Sequence, residues 1–113
     1  MRAPLTTHVL DTANGRPGQG VPITASHLED GVWREITTAL TDADGRVTTW
    51  PVALPWGPGV WRLRFAVGAW YAARGETCFF PEVDLVFEVT RPDQHHHVPL
   101  LLTPHGYTTY RGS

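Results

Sequence analysis

Residues 60–68 read Val-Trp-Arg-Leu-Arg-Phe-Ala-Val-Gly, and their alternation decides the fold class. In an extended chain successive side chains point to opposite faces, so Trp61, Leu63, Phe65 and Val67 share one face and Arg62 and Arg64 the other. Residues 83–90 repeat the pattern, with Val83, Leu85, Phe87 and Val89 inward and Asp84, Glu88 and Thr90 mostly outward. Residues 23–30 and 33–41 flank an Asp30-Gly31 turn signal and predict a hairpin. A second Asp-Gly pair, Asp44-Gly45, leads into a short strand that begins with Arg46. Residues 95–103 and 107–113 flank Pro104-His105-Gly106, a tight connection between the last two strands. The exception is Gly68–Gly75, alanine-rich and closed by a glycine, which predicts a helix of about two turns. Eight short strands and one helical insert predict an all-β antiparallel sandwich, with the strand order left open by the pattern.

The chain has 113 residues, the size of one domain (1–113) with a core of its own. A hydrophobic content of 42% against 18% charged residues fits a folded chain rather than a disordered one. A net charge of −2 supplies no basic field for nucleic acid. No apolar run approaches the length of a membrane span, and residues 1–11 lack the apolar centre of a secretory signal, so the expectation is no membrane association and a cytoplasmic location.

Cys78 is the only cysteine, which removes internal disulfides and multi-cysteine metal sites. It sits beside Phe79, Phe80 and Pro81, where a thiol is a small buried hydrophobe rather than a nucleophile. The chain has no lysine, so Schiff-base chemistry is unavailable. Six histidines remain as candidates. His8 shares a strand face with Thr6 and Leu10, while His95 and His97 share a face opposite to His96. Any single strand histidine is ordinarily just solvated or satisfied. Two imidazoles at i and i+2 with a third from a neighbour would also suit zinc, but no acidic motif accompanies them.

The tail is unusual. Chain ends are commonly small, polar and irregular. Here Tyr107, Thr109, Arg111 and Ser113 alternate with Thr108, Tyr110 and Gly112, in residue types that favour strands.

Four stretches together carry a resemblance: residues 5–22, beginning Leu-Thr-Thr-His-Val-Leu-Asp; residues 41–46, Thr-Asp-Ala-Asp-Gly-Arg; residues 79–89; and residues 95–113, ending Tyr-Arg-Gly-Ser. With them the chain resembles the 5-hydroxyisourate hydrolases, the enzyme branch of the transthyretin-like family, from about Leu5 onward. The terminal tetrapeptide is the most specific element, because the hormone-carrying branch ends differently. The resemblance implies a transthyretin-like β-sandwich that hydrolyses 5-hydroxyisourate to 2-oxo-4-hydroxy-4-carboxy-5-ureidoimidazoline in urate catabolism. It implies catalytic roles for His8, Arg46 and His97, and substrate-binding roles for Tyr110, Arg111 and Ser113. It also implies a homotetramer, a dimer of dimers with sheets lining a channel, and no metal or organic cofactor. His96 stands where the family often has tyrosine, and His105 where it commonly has an aromatic residue. His95 and His96 are expected to matter much less than His97.

The implied chemistry suits these residues. Opening a cyclic amide-like bond needs a positioned water, a base and a partner for the oxyanion. Histidine titrates near neutrality and can act as the base. The planar fork of Arg46 matches a urate-like edge. The tail would be the last strand beside the site, with its carboxylate as a further polar group. The rival expectation is a carrier that binds an aromatic ligand in the same channel without chemistry, for which an apolar lining would be expected.

Overall fold

The structure, a computed structural model, describes residues 3–113; Met1 and Arg2, the first residues of the start segment read above, lie outside it. Among the described residues the elements run β1 (Leu5–Asp11), β2 (Arg16–Pro17), β3 (Pro22–Glu29), β4 (Val32–Leu40), β5 (Arg46–Val47), β6 (Gly59–Phe65), α1 (Val67–Ala72), β7 (Val83–Val89), β8 (His96–Thr103) and β9 (Gly106–Thr109). One sheet has the order β4-β3-β6-β7. The other has the order β2-β1-β8-β9, with β5 also paired to β1.

The alternation does what the sequence predicts as far as Phe65, where β6 ends; Val67, expected on the same strand face, instead begins α1. Trp61, Leu63 and Phe65 are fully buried, and β6 occupies the centre of its sheet between β3 and β7. The β3–β4 hairpin turns through Asp30 and Gly31, both at positive φ, which matches the right-handed twist of the strands it joins. From the facing sheet Leu5, Val9, Val98, Leu100 and Leu102 complete the core. Side chains of this size each contribute about 1.5–3 kcal/mol when buried, so the two apolar faces hold the sheets together. The helix starts one residue earlier than predicted and buries Val67, Trp70 and Tyr71 against the sandwich.

Two features depart from the simple antiparallel reading. First, β1 and β8 run parallel, pairing Leu5 with His96 through Asp11 with Leu102. Inside the sandwich the Thr7 hydroxyl donates to the Val98 carbonyl at 2.6 Å, which satisfies a fully buried polar group. Second, the regular ladder of the tail stops at Thr109. Pro99 has no N–H to offer the ladder beside Tyr110, and pairing resumes only where Gly112 bridges His97. The tail is thus a strand with a gap.

Candidate active site

The second sheet gathers the candidate residues by register. Within it β1 is flanked by β5 and β8. His8 of β1 stands opposite Arg46 of β5, and Thr6 of β1 opposite His97 of β8. Neighbouring strands lie about 4.8 Å apart, and residues two apart on a strand share a face. Thr6, His8, Arg46 and His97 therefore form one compact group on the outer face.

Arg46 owes its place to the turn before it. The Asp42 carboxylate accepts backbone N–H bonds from Asp44 and Arg46, both at 2.9 Å. Gly45 has φ 75° and lies against β1, where an added Cβ would sit 2.4 Å from the Val9 carbonyl oxygen. Only glycine allows that backbone conformation and that approach together. The Asp-Gly pair read as hairpin chemistry is thus what sets Arg46 beside His8.

His8 is half-buried. Burial first, and then the Arg46 charge, push its pKa below the usual 6.5, while a hydrogen bond to the Asp44 backbone and the Asp42 and Asp44 carboxylates pull it up. The net effect is a neutral imidazole at physiological pH. In a neutral imidazole one ring nitrogen carries the proton and the other keeps its lone pair. Because the unfolded chain binds this proton more readily, stability from His8 is complete above pH 6.5 and is lost as pH falls through the lowered folded value. An NMR titration is expected to place the His8 midpoint below 6.5 and to move it upward in Arg46→Gln. A midpoint unmoved by that substitution would remove Arg46 as a source of the shift.

His97 is held from both sides. Its Nδ1 lies 2.8 Å from the Thr6 hydroxyl, and its carbonyl accepts the Gly112 N–H at 2.8 Å. Gly112 touches the ring itself: a Cβ there would fall 2.5 Å from His97 Cδ2. Thr6, Thr7, Arg46, Thr48, His97 and Ser113 line a cleft of about 100 Å3.

The sequence candidates thus divide. His8, Arg46, His97 and Ser113 come together. Tyr110 and Arg111 do not; they line a separate groove between β7 and β9. The Arg111 guanidinium donates to the Gln94 side chain at 3.3 Å and to the His95 carbonyl at 3.4 Å. Arg111 and Ser113, expected on one face, line different hollows. His96 points into the sandwich, 4% exposed, as the alternation predicts. His105 sits in the exposed β8–β9 turn. Among the described residues no three His, Cys, Asp or Glu side chains form a group able to hold a metal ion.

Thr6, Asp44, Thr48 and Gly112 were not singled out for the site. For Thr6 a signal existed: it lies two residues before His8 and shares its face.

The match to a family model, described as HIUase/Transthyretin family, spans residues 5–112. The chain belongs to this family. Within the HIUase/Transthyretin family it is 45% identical to a mouse protein named 5-hydroxyisourate hydrolase, over 98% of this chain and 96% of that one. The solved 5-hydroxyisourate hydrolase of Klebsiella pneumoniae superposes with a TM-score of 0.84 at 34% identity, covering 96% of this chain and 97% of that chain. A sea bream transthyretin in complex with thyroxine superposes with a TM-score of 0.89 at 32% identity, covering 97% and 95%. The fold is therefore shared with a named hydrolase and with a named transthyretin.

Proposed function

We propose that the protein hydrolyses 5-hydroxyisourate, opening its six-membered ring at an amide-like bond in urate catabolism, and that one domain carries the activity. The observation that carries this reading is the meeting of Arg46, His97 and Ser113 at one polar cleft, with His8 directly opposite Arg46 on the neighbouring strand, in a chain 45% identical to a named hydroxyisourate hydrolase. A thyroxine-type carrier would want an apolar lining here, and the threonines, histidine and arginine favour hydrolysis.

In this scheme neutral His8 takes the proton of the attacking water at its unprotonated ring nitrogen. Arg46 presents two parallel N–H groups to the substrate edge and to the oxyanion that develops there. His97 orients the water or returns a proton to the departing nitrogen. Ser113 supplies a hydroxyl at the cleft wall. Arg111 ties the tail to residues 94 and 95. The test is spectroscopic: urate is oxidised by a uricase, and the transient hydroxyisourate absorbance is followed with and without this protein. Decay no faster than the spontaneous rate would overturn the assignment.

We further propose a homotetramer built from dimers. The β7 and β9 edges lie beside one another along a groove of about 480 Å3, with Val86, Tyr107 and Tyr110 exposed. Unpaired edges with apolar side chains favour pairing with a second copy. Light scattering is expected to give four chains of 12.5 kDa each. An active monomer would contradict the assembly.

A further inference from the structure

The Thr6 hydroxyl is within hydrogen-bond distance of two imidazoles, His97 Nδ1 at 2.8 Å and His95 Nε2 at 2.9 Å. A hydroxyl has one proton to give. It cannot donate to both rings, so the two histidines are not independent. Thr6 itself is 4% exposed, which leaves little water to compete for these bonds. The arrangement follows from register. Thr6 faces His97 across the parallel β1–β8 pair, and His95 stands two residues before His97 on the same side.

We propose that Thr6 and His95 are positioning residues for His97, joined to it in a hydrogen-bonded relay that sets the protonation of the nitrogen His97 offers to the cleft. This rests on the reading of the cleft as a hydrolytic site.

The relay uses the two orientations in which the Thr6 proton is given to one ring while the other ring donates to the Thr6 oxygen. In one, His97 Nδ1–H donates to Thr6, and the Thr6 O–H donates to His95 Nε2; His97 Nε2 then carries a lone pair and is a base. In the other, His95 Nε2–H donates to Thr6, and Thr6 donates to His97 Nδ1; His97 Nε2 then carries a proton and is an acid. Passage from the first to the second balances. His97 Nε2 gains a proton from water, its Nδ1 proton moves to the Thr6 oxygen, and the Thr6 proton moves to His95 Nε2. His95 becomes an imidazolium and releases its Nδ1 proton to solvent. It is placed to do so, because it lines a surface depression of about 310 Å3 with Pro4, Asp93 and Gln94. Hydrolysis needs a proton removed at one step and returned at another, which a reversible relay supplies without charge left on His97.

The charged and titratable groups around the relay are His8 and Arg46 on the cleft side, and Asp93 and Arg111 on the His95 side. Asp93 is engaged by Arg91 at 3.0 Å, and Arg111 reaches the His95 carbonyl. On this proposal His95 carries more weight than the sequence reading gave it.

The test uses the full chain with Thr6→Val, Thr6→Ser and His95→Phe, each checked by melting temperature. Valine keeps the shape of threonine without the hydroxyl, serine keeps the hydroxyl, and phenylalanine keeps the ring without nitrogens. Thr6→Val and His95→Phe are each expected to lower kcat about tenfold to a hundredfold with little change in KM, at or below the usual scale for a positioned acid or base. Thr6→Ser should recover most of the loss, and the Val/Phe double variant should be no worse than the poorer single. Ring-nitrogen NMR of His97 supplies a readout independent of substrate. Its Nδ1 and Nε2 shifts are expected to change in His95→Phe although Thr6 is intact. Unchanged kcat together with unchanged His97 shifts in His95→Phe would overturn the relay. If the wild-type protein fails to accelerate hydroxyisourate decay, the functional reading falls, and the NMR result alone decides whether the two rings are coupled.

Discussion

His97→Ala is expected to lower kcat by about a hundredfold or more, the scale of losing a positioned acid or base, with the fold retained. The backbone reason for retention is direct: the carbonyl of residue 97 still accepts the Gly112 N–H, and Thr6 still faces it across the β1–β8 pair. What disappears is the imidazole between the threonine and the glycine. His8→Ala should match it in size for a different reason, the loss of the neutral imidazole beside Arg46. Initial rates of hydroxyisourate loss, with a melting curve for each variant, decide the matter. A drop of less than about threefold for either substitution would move the chemistry away from this cleft.

Removing Tyr110 to Ser113 should abolish hydrolysis and leave a folded protein. The cut takes away the Gly112 bond to His97, the glycine surface against the ring, and the Ser113 hydroxyl at the cleft. It leaves β6, β7 and the buried face of β8 intact. One backbone hydrogen bond contributes about 1 kcal/mol, too little to unfold a sandwich with a continuous apolar core. A finer probe is Gly112→Ala, whose Cβ would fall 2.5 Å from His97 Cδ2 and force the ring to move. Residues appended after Ser113 should also impair turnover by crowding the cleft that Ser113 lines, while the same extension ahead of Met1 should not. Full activity in the truncated form would reduce the tail to a structural edge.

Much of this was legible in the sequence because alternation is a local signal. Residues 60–68 and 83–90 announce two buried strands, Asp30-Gly31 announces its hairpin, and Gly68–Gly75 its short helix. His8, Arg46 and His97 were reached through motif resemblance, since nothing local says that residues so far apart in the chain will meet. The parallel pairing of β1 with β8 is invisible to pattern, because a strand's face can be read from its own residues but its partner cannot. The tail misled in one respect. Its residue types alternate without interruption, yet the missing N–H belongs to Pro99 on the neighbouring strand, so the regular ladder stops at Thr109. Thr6 was overlooked for a related reason: a threonine in a strand is ordinary until two imidazoles converge on its oxygen.

The parallel β1–β8 pair has a kinetic consequence. It joins residues about 90 positions apart, as Thr6 and His97 show, and it lies at the centre of its sheet. Contacts of such sequence separation are the slowest to form, since the chain must lose loop entropy before any contact compensates for it. The hairpin of β3 and β4, and the β6–β7 pair packed beside it, can form early from nearer neighbours. The cleft cannot, because its residues come from the first strand, a mid-chain turn and the last strands. During refolding, secondary structure should therefore return before turnover does. No fragment lacking β1 or β8 can assemble the cleft.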